Sequence, residues 1–265
     1  MEFEIIDFHT HPFIKRENNI CQHYLDYDMD MYKAKVMMQN LGVKRICGSV
    51  LSRVTPLAEN ETWWDRICAF NSEALKLKKQ LGDFYYPGFN VHPNYVDESI
   101  AVIDEMTANG IYLMGEVCPY LLGYESEKYD REDFNKIVDY ATQKGVVVSI
   151  HDGGNVEDIN SFIKRHKKTK IVVAHPGDYY NFIKNVERAK MSENFYLDLS
   201  GYGLFRQSML RYAIDKIGVE KIIFGSDYPT CSFHMYLGGV LLDSEISDNE
   251  KRLILSENAK RLLKL

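Results

Sequence analysis

The sequence predicts an α/β chain that closes as a single (β/α)8 barrel, a TIM barrel, spanning residues 1–265. Three observations predict it. A short apolar, β-branched run followed by a longer segment of helical periodicity recurs eight times along the chain. No Pro-rich linker, low-complexity stretch or shift of composition divides the 265 residues. Finally, 45% apolar and 26% charged residues suit a soluble chain with a large core, at a length where one barrel of roughly 250 residues is an ordinary solution. Two ordinary domains or a doubly wound open sheet are the alternatives.

The predicted strands are, in order, Phe3–Phe8, Arg45–Val50, Phe84–Val91, Ile111–Val117, Val146–Ile150, Ile171–Ala174, Phe195–Leu199 and Lys221–Gly225. Between them, helical periodicity covers Met29–Leu41, Thr62–Leu81, Ser99–Asn109, Arg131–Gln143 and Val156–Arg165. Gly42, Gly110, Gly145 and Gly218 each fall near the end of a helical stretch, where a left-handed C-cap is wanted. Strict strand–helix alternation implies a parallel sheet covered by helices. In such a barrel, chemistry gathers at the C-terminal ends of the strands.

Composition narrows the partners. Lys plus Arg number 32 against 38 Asp plus Glu, a net charge of −6, which argues against generic nucleic-acid or anionic-membrane binding. The longest apolar runs, such as Gly145–Ile150, are too short to cross a bilayer. The acidic N-terminus runs straight into a strand pattern and does not resemble a secretory signal. Cys21, Cys47, Cys68, Cys118 and Cys231 are odd in number, widely spaced and form no CxxC pair, so they read as reduced thiols of a cytoplasmic protein. Helix faces on a barrel do not reveal an oligomeric state, and a homo-oligomer stays open.

The strand ends carry the chemistry. The first ends Asp7-Phe8-His9-Thr10-His11. Alternation along a strand puts His9 and His11 on one face, about 6.5–7 Å apart, where two imidazoles can grip one ion. Asp7 shares that face and is expected to orient His9 or a core water. Strand three ends at His92, strand four at Glu116, strand five at His151, strand six at His175 and strand eight at Asp227. Five of the eight histidines therefore sit at predicted strand ends. Imidazole and carboxylate donors without thiolates suit zinc, and also manganese, iron or nickel. Four histidines and two carboxylates exceed what one tetrahedral ion needs, so either a second ion is present or some of these residues act as acid and base.

This pattern resembles the amidohydrolase superfamily of metal-dependent barrel hydrolases, in both order and strand number, at His9, His11, Glu116, His151, His175 and Asp227. The strings SIHDGG (149–154), VVAHPGD (172–178), IIFGSDYP (222–229) and ILSENAKRLL (254–263) are similar to the amidohydrolase-related subgroup. NVHP (90–93) and MGEV (114–117) look like the TatD-like deoxyribonucleases. Many two-ion members carry a carbamylated lysine on strand four, whereas Glu116 stands here. The resemblance implies that His9, His11 and Asp227 hold one divalent ion, zinc or manganese, that His151 and His175 hold a second if one is present, and that Glu116 bridges. It further implies ion-activated attack on a carbonyl or phosphoryl centre, with Asp227 moving the proton. His92, at a strand end beside Pro93, is a candidate contact to substrate or leaving group, as in the TatD-like proteins, with a satisfied structural histidine as the alternative.

Substrate clues lie in the loops. Arg53 follows strand two and Arg206 follows strand seven, so both are candidates to pair with a substrate carboxylate or phosphate. Lys15 and Arg16 follow strand one, and Trp63, Trp64, Tyr202 and Phe205 are candidates for an apolar lining. Cys118 is read as packing. His23, His166 and His234 have no comparable context, and His166 reads as a solvated helix end. The expected activity is hydrolysis of an amide, lactone or ester in a small molecule. The alternatives are a TatD-like phosphoesterase and a one-ion decarboxylase of an aromatic or unsaturated acid, in which an arginine at the mouth holds the carboxylate.

Overall fold

The computed structural model describes residues 3–21, 30–53, 56–124, 128–152, 156–201, 204 and 206–265. His23, Tyr202 and Phe205 lie outside them. Eight parallel strands alternate with helices: β1 (Ile5–Asp7), α1 (Met31–Asn40), β2 (Val43–Gly48), α2 (Trp63–Leu81), β3 (Tyr85–Pro87), α3 (Val96–Ala108), β4 (Leu113–Val117), α4 (Glu132–Gln143), β5 (Val147–His151), α5 (Val156–Arg165), β6 (Lys170–Ala174), α6 (Tyr179–Met191), β7 (Phe195–Asp198), α7 (Met209–Ile217), β8 (Ile222–Ile223) and α8 (Phe233–Leu241). A terminal segment follows: α9 (Asp248–Arg252), a π-helical turn (Leu253–Glu257) and α10 (Asn258–Leu263).

The ladders run β1-β2-β3 and β4-β5-β6-β7-β8. Backbone bonds join their edges. Phe89 N–H donates to Leu113 O at 3.0 Å, and Gly115 N–H to Phe89 O at 2.8 Å. On the other side, Phe8 N–H donates to Phe224 O at 2.9 Å and His11 N–H to Tyr228 O at 2.7 Å. With both seams paired the sheet closes, and the open-sheet alternative falls.

Strand parity divides the core. Ile6, Cys47, Leu113, Val147, Val172 and Ile223 pack inside the barrel, sealed by Ala259, Leu262 and Leu263 of α10. Their strand neighbours Ile5, Ile46, Met114, Val148, Ile171 and Val173 turn outwards into the larger core beneath the helices. On β5 the inward set starts with Val147 and reaches His151 two steps of the alternation later. An apolar floor with a polar rim at the C-terminal strand ends is the arrangement a barrel site needs.

β1, β3 and β8 are the strands most shortened relative to their apolar runs, and a change of backbone partner accounts for the last two. β3 pairs with β2 only over Tyr85–Pro87, because the chain then leaves β2 and bonds β4 through Phe89. β8 is cut short because Phe224 N–H turns to Ile254 O of the π-helical turn, 3.0 Å away. His166 is not solvated. It is buried, with Nε2 2.7 Å from Asn135 Oδ1 and Nδ1 3.2 Å from Asp139 Oδ1.

Candidate metal centre

Six side chains converge on the axis at the C-terminal strand ends. His9 Nε2 lies 3.1 Å from His11 Nε2. Glu116 Oε2 is 3.6 Å from His9 Nε2 and 3.3 Å from His11 Nε2. Its other oxygen, Oε1, is 2.9 Å from His151 Nδ1 and 3.2 Å from His175 Nε2. Asp227 spans the same division: Oδ1 is 3.4 Å from His11 Nε2, and Oδ2 is 3.7 Å from His175 Nε2. Three overlapping groups have the reach to hold an ion: His9–His11–Glu116, His9–His175–Asp227 and Glu116–His151–His175.

Local backbone explains how each residue gets there. The β4 register slips between Met114 and Val117, where Gly115 takes φ +101° and presents Glu116. A Cβ at Gly115 would sit 2.4 Å from Ser149 O, so the strand tolerates no side chain there. His175 and Asp227 both occupy left-handed backbone, at φ +53° and +58°. That conformation costs a side-chain-bearing residue about 1–2 kcal/mol, and such residues cluster at functional sites.

The donor chemistry fits a cation. His11 Nδ1 donates to the Ser49 carbonyl oxygen at 3.1 Å, so a neutral ring turns its Nε2 lone pair inwards. His9 Nδ1 lies 2.7 Å from Asp198 Oδ2 and presents its Nε2 in the same way. Two lone pairs at 3.1 Å, flanked by buried carboxylates, repel unless positive charge lies among them. Electrostatics agree. Burial alone would raise Glu116, yet His151, His175 and His9 together hold its carboxyl well below the usual range. Burial opposes charge on His9, but Asp198 and Glu116 outweigh it and push its pKa well above the ordinary value.

Two supporting residues escaped the sequence reading. Asp198 ends β7 and holds His9, while Ser200 Oγ lies 3.2 Å from His9 Nδ1 and 3.1 Å from His175 Nδ1. Ser200 also donates to Asp198 Oδ1. One hydroxyl thus links the outer nitrogens of two imidazoles. Their sequence signal is Asp-Leu-Ser at the end of strand seven, where no histidine stands. Asp7 holds the backbone of His9, not its ring: Oδ1 accepts from His9 N–H at 3.3 Å. Its carboxylate also accepts from Ser226 N–H at 2.9 Å and Ser226 Oγ–H at 2.5 Å, pinning β1 to the end of β8. Burial pushes that carboxyl up to about 7, against the pull of the Ser226 bonds.

The remaining candidates sit further out. His92 is fully buried in an aromatic cage, stacked on Trp63 at 6.4 Å and edge-on to Tyr95 and Tyr124 at 5.3 and 5.1 Å. Its Nδ1 accepts from Asn94 N–H at 3.2 Å, and it belongs to none of the three ligand groups. Trp64 packs on Tyr95 at 5.6 Å. Arg53 reaches back to the loop after β1, its Nε donating to Ile20 O at 3.2 Å. Arg206 is exposed beside Tyr179, Tyr180 and Tyr212 on a groove of about 520 Å³, whose lining includes none of the six. Cys118 is buried, as packing requires, and Tyr120 covers the His151 ring at 5.4 Å.

An eight-stranded parallel barrel with histidines and carboxylates at its strand ends defines a class of metal-dependent enzymes. The amidohydrolase family profile matches residues 6–265, and the chain belongs to that family. Among solved structures it is similar to 2,6-dihydroxybenzoate decarboxylase from Rhizobium, at 16% identity and TM-score 0.71 over 99% of both chains. It is also similar to a probable 2-pyrone-4,6-dicarboxylic acid hydrolase from Acinetobacter baumannii, at 17% identity and TM-score 0.62 over 100% of both chains. A third is 5-carboxyvanillate decarboxylase from Novosphingobium aromaticivorans, complexed with manganese, at 12% identity and TM-score 0.71 over 99% of this chain and 96% of that one. At these identities the likeness is one of fold.

Proposed function

We propose that the protein is a two-ion hydrolase that cleaves an amide, lactone or ester bond of a small molecule. The observation that carries this reading is the division of Glu116: Oε2 faces His9 and His11, and Oε1 faces His151 and His175. A carboxylate set between two histidine pairs suits a bridge between two divalent ions, zinc or manganese. When bound, such ions acidify water and neutralise charge that develops on a substrate oxygen. The chain's own residues do the rest. Asp227, with its oxygens spread between His11 and His175, is placed to accept a proton at Oδ and return it to the leaving group. Asp198 and Ser200 hold the rings of His9 and His175 against rotation. Tyr120, half-exposed over His151, forms one wall of the mouth. Arg53 and Arg206 are candidates for a substrate carboxylate. His92 acts by shaping the aromatic wall beside β3. The five cysteines are all free thiols, which suits a reducing cytoplasm. Among the described residues, no helix is long and apolar enough to cross a membrane.

A second reading is decarboxylation of an aromatic acid, favoured by the several decarboxylases among the similar solved structures. The two are separated by assaying lactones, esters, amides, phosphodiesters and hydroxybenzoates after stripping and restoring zinc or manganese. Hydrolysis that falls at least about a hundredfold in Glu116→Gln supports the proposal. Carbon dioxide release from a hydroxybenzoate, unchanged in Glu116→Gln, contradicts it.

A further inference from the structure

Arg188 on α6 is a cation only 3% exposed that no step above uses. Its Nη1 lies 3.5 Å from Asp152 Oδ2 and donates to Asn185 Oδ1 at 2.8 Å. Its Nε donates to Asn160 Oδ1 on α5 at 3.0 Å, and its Nη2 to Val156 O at 3.4 Å. Asn185, fully buried one turn earlier on α6, donates from Nδ2 to Asp152 Oδ2 at 2.7 Å and to Pro176 O at 3.0 Å. Asp152 directly follows His151, and Pro176 directly follows His175. One side chain of α6 thus ties together the two segments that present the histidines facing Glu116 Oε1.

A buried ion pair is a poor way to gain stability, since desolvation cancels much of its attraction. Position is what this one supplies. The amide oxygen of Asn185 is held by Arg188 and its nitrogen serves two acceptors, so the side chain has no freedom to rotate. His175, in left-handed backbone, needs such an anchor. Ion ligands must be placed to a few tenths of an ångström.

We infer that Asp152, Asn185 and Arg188 form a clamp that sets the spacing of His151 and His175, and so are positioning residues for one ion of the pair. The inference rests on the two-ion reading above. Calorimetric titration of ion-stripped full-length protein with manganese tests it. Wild type takes up two ions, and His151→Ala identifies the event that belongs to the Glu116 Oε1 side. Asn185→Ala should weaken that same event on the order of ten- to a hundredfold and leave the other within about threefold. Asn185→Asp, which fills the same volume but sets a second carboxylate against Asp152, should weaken it likewise and serves where Asn185→Ala does not fold. Two ions in wild type, with both events unchanged or both equally weakened in the variants, overturn the clamp alone. One ion in wild type overturns the two-ion reading and the clamp with it.

Discussion

His9, His11 and His175 are each held at the outer ring nitrogen, by Asp198, the Ser49 carbonyl and Ser200, and the residue-scale predictions concern the converging side chains and these partners. Asp227→Asn keeps the shape and removes both the proton acceptor and an anionic donor to an ion, so kcat at saturating manganese should fall about 10²–10⁴-fold while far-ultraviolet circular dichroism stays native; unchanged turnover would remove Asp227 from the proton path. Asp198→Asn weakens the hold on His9 Nδ1, now at 2.7 Å. It should lower ion affinity about 10–100-fold, read by titration against a coloured chelator. The six were legible because histidines are few and fell at strand ends, where chance seldom puts them. Asp198 and Ser200 were not, because an aspartate and a serine at the end of one strand look like an ordinary turn. Asn185 and Arg188 were invisible for another reason: on a helix, a polar pair reads as solvent-facing until packing shows it buried.

At the scale of elements, close strand contacts seat the ligands. Gly225, beyond β8, lies so near β1 that a Cβ would stand 2.8 Å from His9 Cβ and 3.1 Å from Asp198 Oδ1. Gly225→Ala should therefore displace His9 and weaken ion binding while far-ultraviolet circular dichroism stays native. Full ion affinity in that variant would show that His9 has room to give. Strand order and the first five helices were readable from periodicity, since β5, β6, α2 and α5 follow their apolar patterns within a residue or so. The ends of β3 and β8 were not. Their apolar runs continue, but the backbone changes partners at Phe89 and Phe224, and hydropathy carries no information about which neighbour accepts a bond.

For the whole molecule, the candidate ligands come from β1, β4, β5, β6 and the end of β8 and meet at one point, so the proposed site exists only in the closed barrel. Ion binding is then linked to folding. At free ion a hundredfold above Kd, each ion adds about 2.7 kcal/mol, or about 5–10 °C of melting temperature for a chain of this size. A chelator should lower the melting point by that amount per ion and leave the secondary structure intact, which calorimetry with and without chelator checks. The central claim is that Glu116 bridges two ions. Elemental analysis of the purified protein after dialysis against manganese tests it most directly. The account predicts close to two ions per chain in the wild type and no more than one in Glu116→Gln. One ion per chain in the wild type, unchanged in Glu116→Gln, would contradict it.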